Sequence, residues 1–113
     1  DLSAVNFRGV DLSGSNLYFA ALKDADLSKA NLRSCILDRA NLTGATLARA
    51  NLRGASLEKA NLLRANLWHA KLEGVQWQGA NLGWAIFIGA TYDKMTNWPE
   101  GFDPNRAGAV LVD

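Results

Sequence analysis

Every fifth residue of this chain is large and apolar, from Leu2 to Tyr92, without a slip in register. The series begins Leu2, Phe7, Leu12, Leu17, Leu22 and ends Leu72, Trp77, Leu82, Phe87, Tyr92. Two residues before each later member stands a small residue, usually Ala, with Val5, Val10, Ser15, Cys35 and Val75 as exceptions. The position directly before is usually Asn or Asp, as at Asn6, Asp11, Asp26, Asn31, Asn51 and Asn81. A period of five fits neither standard element. On an α-helix five residues advance by about 140° net, so the leucines would wind around every side. On a straight strand five is odd, so successive leucines would fall on opposite faces. Only a turn after each quintet keeps every large and small residue inside, with the chain coiling around a core. Gly9, Gly14, Gly44, Gly54, Gly74, Gly79 and Gly89 all fall two residues after a large position. That slot is the expected corner, where Gly relieves backbone strain. Neighbouring coils then pair by parallel main-chain hydrogen bonds, and identical side chains stack in ladders about 4.8 Å apart.

The block Ala-Asn-Leu-x-x, seen at Ala30-Asn31-Leu32, Ala50-Asn51-Leu52 and Ala80-Asn81-Leu82, resembles the pentapeptide-repeat family over roughly residues 1–94. The resemblance implies right-handed winding and four quintets per coil. The expected fold is therefore all-β: a right-handed quadrilateral β-helix of about four and a half coils, about 20 Å long. Two parts are expected, a β-helix over 1–94 and a C-terminal capping segment over 95–113. A solenoid end exposes an apolar cross-section and unpaired backbone, so it needs a cover. The run from Asp93 to Pro104 is rich in turn formers and aromatics and resembles the segment after the repeats in some cyanobacterial members. Trp98 and Phe102 are expected to pack on the last coil, with Ala107 to Val112 also covering the body. The repeats begin at Leu2, so the N-terminal coil reads as bare and as a candidate for end-to-end self-association.

Composition narrows the function classes. The chain has 113 residues, with 12 Lys and Arg against 11 Asp and Glu. That balance argues against a strongly basic nucleic-acid binder and against a strongly acidic nucleic-acid mimic. No apolar stretch is long enough to cross a bilayer. The first residue is Asp1 rather than Met, so a processed, excised or trimmed chain is expected, which leaves open the loss of a targeting segment. The compartment stays open between the cytoplasm and, as the resemblance implies, the thylakoid lumen or periplasm. Cys35 is the only cysteine, which excludes an internal disulfide.

No catalytic, cofactor or metal constellation is read. Cys35 occupies an inward small slot as an apolar filler, and His69 points outward at a corner. No Cys/His pair has metal-ligand spacing. Asp38 and Glu58 stack one coil apart beside Arg39 and Lys59. They read as a satisfied charge ladder, with a catalytic carboxylate pair as the sharper alternative.

Two outward surfaces stand out. Lys29, Arg49 and His69 share one corner column; Arg33 and Arg53 share the next, with Lys71 nearby and Glu73 ending it. This basic stripe fits an anionic partner or polyanion, or is an ordinary solvated face. Only Trp68 interleaves it with an aromatic ring, which gives nucleic-acid binding little support. Trp84, Ile86 and Ile88 also point outward, with Trp68 one coil from Ile88 and Leu63 nearby. Such a cluster is either covered by the chain's own tail or serves as a partner or dimer interface. Tyr18 and Phe19 form a smaller aromatic pair toward the other end. The reading is a non-catalytic interaction scaffold with a protein partner and no evident small-molecule substrate. The alternative is the DNA-mimicking, gyrase-interacting role of some members. The repeat body disfavours it, because Arg8, Lys23, Lys29, Arg33, Arg39, Arg49, Arg53, Lys59, Arg64 and Lys71 outnumber its acids.

Overall fold

The computed structural model describes residues 1–113 and is a right-handed β-helix of square cross-section. Its extents are 33 × 22 × 20 Å, the long one including the C-terminal cap. Backbone pairing between coils is parallel and runs at a constant spacing of 20 residues, from Asn6 with Asp26 to Lys71 with Thr91. Four quintets therefore make one coil, as the resemblance implied. The large residues from Leu22 to Leu72 and the small ones from Ala25 to Val75 are buried and form one continuous core.

Each corner is a four-residue turn. The N–H three residues after a large residue donates to that residue's carbonyl, as from Ala65 to Leu62 at 2.9 Å. The third residue of every turn from Ala4 to Gly89 is left-handed, with φ between 55° and 74°. That is the pattern of a type II turn. Glycine meets it without strain, yet eleven corners carry a side chain, including Lys29, Arg49, His69 and Trp84. Each such corner costs about 1 kcal/mol relative to glycine. The cost is spread along the rod and offset by burial of about 1.5–3 kcal/mol per leucine.

The preference for Asn or Asp before the large residue has its cause in the quintet's five N–H groups. In the quintet 61–65, Asn61 N–H donates to Ala40 in the preceding coil at 2.9 Å. Leu62 and Arg64 donate to Asn81 and Gly83 in the following coil at 2.8 Å, and Ala65 closes the turn. Only Leu63 N–H has no backbone acceptor, and the Asn61 side-chain Oδ1 takes it at 3.1 Å. Asn6, Asn16, Asn31, Asn41, Asn51, Asn66 and Asn81 do the same for the residue two further on. Aspartate does it at Asp1, Asp11 and Asp26. At Asp11 and Asp26 the bonds from the backbone and side chain of Ser13 and Ser28 hold the carboxyl below its ordinary pKa of 3.8.

The tail continues the coil instead of lying flat across its end. Asn97 pairs with Gln76 at a spacing of 21. The strand β2 (Val110–Leu111) pairs in parallel with β1 (Thr91–Tyr92) at a spacing of 19. One residue gained on one side and one lost on another keep the square cross-section. Trp98 stacks on Trp77 at 5.6 Å and on Phe102 at 5.0 Å, and meets Phe87 and Tyr92 edge-on at 5.5 Å. Tyr92 Oη donates to Asn105 Oδ1 at 2.6 Å, pinning the last turn of the tail. The indole N–H groups of Trp77 and Trp98 are buried without an acceptor, a cost the aromatic stack offsets. At the other end Leu2, Val5, Phe7, Leu12 and Leu17 pack on the core but remain half-buried, and Val10 is exposed. The N–H groups of Asn6, Asp11 and Asn16 have no backbone partner there.

Asn61→Ala, which strands the Leu63 N–H, is expected to lower unfolding free energy by about 0.5–1.5 kcal/mol. Leu62→Ala next to it is expected to cost about 2–5 kcal/mol. Denaturant titration of the two variants checks the ratio. The acid limb gives a second test. Because the folded-state pKa of Asp26 is lowered, its charge contributes stability above the unfolded value and loses it as pH falls through the folded value. Asp26→Asn keeps the acceptor for Ser28 N–H but removes the charge. The melting-temperature difference between the two proteins should be present at neutral pH and close as pH drops below 3.8.

Candidate functional site

The four sides repeat every 20 residues, so any surface is a set of columns. Lys29, Arg49, His69 and Gly89 form one left-handed corner column. Across the next side, Arg33, Arg53 and Glu73 form the column after the large residue, with Lys71 and Thr91 on the flat between. Lys29, Arg49, Arg53, His69, Lys71, Glu73, Gly89, Thr91 and Val112 enclose an open groove of about 700 Å³. Its electrostatics are lopsided: four Lys and Arg face one carboxylate. That carboxylate is occupied, since Arg53 Nε donates to Glu73 Oε1 at 3.2 Å and Thr91 Oγ1 donates to Glu73 Oε2 at 2.5 Å. The pair is the single salt bridge of the structure, so Lys29, Arg49 and Lys71 have no carboxylate within ion-pair distance.

Trp68 stands between the basic and apolar surfaces and belongs to both. The Arg49 guanidinium lies 5.0 Å from its ring centroid, and the His69 ring lies 4.0 Å away. The His69 ring in turn covers Gly89: a Cβ there would meet the ring Nε2 at 2.5 Å. Sequence reading placed Trp68 with Ile88 and missed these two contacts. Adjacent residues at a corner are drawn together by the turn, a signal that column counting does not contain.

The apolar surface lies on the neighbouring side. Trp84 is 83% exposed, Ile88 59%, Ile86 43% and Trp68 38%. Leu63 is half-buried and lies over Gly83, its Cδ1 3.1 Å from where a Cβ would stand. The expectation that the tail covers this cluster is not met. Gly108 passes beside Ile88, and its carbonyl accepts from Gly89 N–H at 3.0 Å. From there the tail follows the rim to pair with Thr91–Tyr92, because main-chain pairing directs it along the coil. Tyr18 and Phe19 are exposed and meet at 5.8 Å.

The expected charge ladder of Asp38, Glu58, Arg39 and Lys59 is not closed, since no ion pair joins them. They share a small cavity of about 200 Å³ with Tyr18, and Asp38 Oδ1 is buried without a hydrogen-bond partner. Cys35 is buried, donates to the Leu12 carbonyl at 2.9 Å, and has its thiol pKa pushed up by burial. No three His, Cys, Asp or Glu side chains converge as a metal site would require. No helix is long and apolar enough to cross a membrane.

A square right-handed coil of quintets with a left-handed residue at each corner defines a class of repeat solenoid. The Pentapeptide repeats family matches residues 1–39 and 35–74, with eight copies, and the chain belongs to that family. Its structure is similar to that of alr5209, a pentapeptide repeat protein from Nostoc Pcc 7120. The two are 35% identical over 90% of this chain and 84% of the other, with a TM-score of 0.89. It is also similar to a pentapeptide repeat protein from the Arabidopsis thaliana thylakoid lumen. That pair is 32% identical over 77% and 68% of the chains, with a TM-score of 0.50. QnrB1, a plasmid-mediated fluoroquinolone resistance protein, matches at 18% identity over 98% and 81%, with a TM-score of 0.44. No curated protein matches the chain.

Gly89→Ala is expected to displace the His69 ring and, at φ +74°, to strain the corner. Destabilisation of about 1 kcal/mol or more should accompany the change. A shift of the His69 ring resonances in NMR spectra, with the Leu62 methyl signals unmoved, checks it.

Proposed function

We propose that this solenoid is a non-catalytic scaffold that docks a protein partner through the side bearing Trp84, Ile86 and Ile88. The observation that carries the reading is the exposure of Trp84 at 83% with two isoleucines on the same side of one coil. Exposed aromatic and aliphatic side chains grouped in this way supply the desolvated centre of a protein interface. Leu63 and Trp68 extend the apolar area. Lys29, Arg33, Arg49 and Arg53 serve as its charged rim, where they favour partners with an acidic surface and speed encounter more than they deepen affinity. A corner such as Trp84, held left-handed, presents its side chain at low conformational cost on binding, because the backbone is already fixed by coil pairing. A DNA-mimicking role gains no support, since the basic stripe is the reverse of the charge such mimicry requires.

Trp84→Ala combined with Ile88→Ala is expected to remove partner proteins from affinity capture, while Arg33→Glu weakens capture and makes it less sensitive to salt. Capture of the same set by the wild type and by both variants would overturn the reading. Unchanged thermal midpoints of the exposed-site variants separate loss of docking from loss of fold.

A further inference from the structure

The groove on the adjoining side shares Lys29, Arg49 and Arg53 with the rim of the docking surface and adds Lys71, His69 and Thr91. Of the nine residues that line it, one is hydrophobic. Its cations are not neutralised from within, because Glu73 is already held by Arg53 and Thr91. Arg39 and Lys59, at the opposite corner, are also without an ion pair, but they share their small cavity with the carboxylates of Asp38 and Glu58, whereas the groove's one carboxylate is already engaged. Lys29 and Arg49 occupy one corner column, one coil apart, as like charges with no carboxylate within ion-pair distance of either. That arrangement is unfavourable in the empty protein and favourable once an anion lies along the column.

The donors are also set in place. Lys29, Arg49 and His69 project from corners fixed at φ values of 60°, 61° and 55°. The Arg49 guanidinium is braced against the Trp68 ring, and the His69 ring is seated over Gly89. Preorganised donors lose little freedom on binding. They span two coil spacings, about 10 Å, which exceeds the reach of one phosphate group. The groove's volume of about 700 Å³ is that of a small-molecule site and not of a single ion. Arginine and lysine at such spacing suit phosphate oxygens, the arginine through its fork of N–H donors. A nucleic-acid strand would want free aromatic faces for its bases, whereas the Trp68 ring is already occupied by Arg49 and His69.

We propose that this groove binds a small ligand carrying two or more linked phosphate groups, with Arg49 and Lys71 as principal contacts, Lys29 and His69 flanking them, and Trp68 as a positioning residue. The site goes beyond the scaffold reading and does not depend on it. Lys71 belongs to the groove and not to the docking surface or its rim, and Trp84 and Ile88 lie outside the groove, so Lys71→Ala and Trp84→Ala with Ile88→Ala make the two fail separately.

The test is calorimetric titration of the full chain with inorganic pyrophosphate at low ionic strength, with orthophosphate and a short DNA duplex as comparison probes. Saturable one-to-one binding is expected, about tenfold or more tighter for pyrophosphate than for orthophosphate. Arg49→Ala and Lys71→Ala should each weaken it by about tenfold. Trp68→Leu should weaken it by a smaller factor, and should have no further effect once Arg49→Ala is in place, as a positioning role through Arg49 requires. Arg39→Ala with Lys59→Ala, removing two charges from the opposite corner against one in each groove variant, should leave affinity within about twofold. Amide shifts on titration should concentrate at residues 49, 69, 71 and 89. The proposal is overturned by absence of saturable pyrophosphate binding, by equal losses in the groove and control variants, or by a duplex that binds where pyrophosphate does not. Retained circular dichroism and thermal midpoints in the variants keep each result interpretable.

Discussion

Everything in this molecule depends on the left-handed residue at each corner. A leucine can be buried every fifth residue only if the chain turns after each quintet, and in this coil each turn is one of four corners. The turn that does so places its third residue at positive φ. Once the corner is set, the two flanking stretches are short enough to pair with the coils above and below, and the turn's own hydrogen bond closes it. Four of the five N–H groups in a quintet are then spoken for. The fifth explains the Asn or Asp before the leucine, whose side-chain oxygen reaches the one amide that the coil geometry leaves over.

Regularity of this kind separates support from display. The inward slots carry Leu and Ala almost without variation, and their burial holds the rod together. Apart from the Asn or Asp that holds the leftover amide and the left-handed corner residue, the outward slots are free to vary, because a change there alters neither pairing nor packing. What they carry in one coil is stacked against what they carry in the next at the strand spacing. Single substitutions at 20-residue intervals thus add up to a surface. The groove column of Lys29, Arg49 and His69 is built in this way; Trp84, Ile86 and Ile88 lie along one coil on the neighbouring side, extended one coil back by Trp68, and Trp68 and His69 stand at the edge the two sides share. The C-terminal tail respects the same logic. It adds a residue on one side and drops one on another, so its aromatic plug of Trp98 and Phe102 sits over Trp77 and Phe87 while its strand still pairs.

The sequence by itself determined the coil. A period of five requires a turn after each quintet once every large and small residue must be inside, and the glycines mark where the chain turns; four quintets to a right-handed coil is what the family resemblance implied and the structure shows. It also determined which residues point outward and which share a column, so the basic and apolar surfaces were legible from Lys29, Arg33, Arg49, Arg53, Trp84, Ile86 and Ile88. Tertiary structure decided what those side chains touch. Arg53 is tied to Glu73, Arg49 leans on Trp68, Asp38 and Glu58 stay unpaired, and the tail leaves Trp84 bare. The physical reason is that a repeat specifies the backbone and the column, whereas contacts between long side chains depend on rotamers and on corner neighbours that no period encodes.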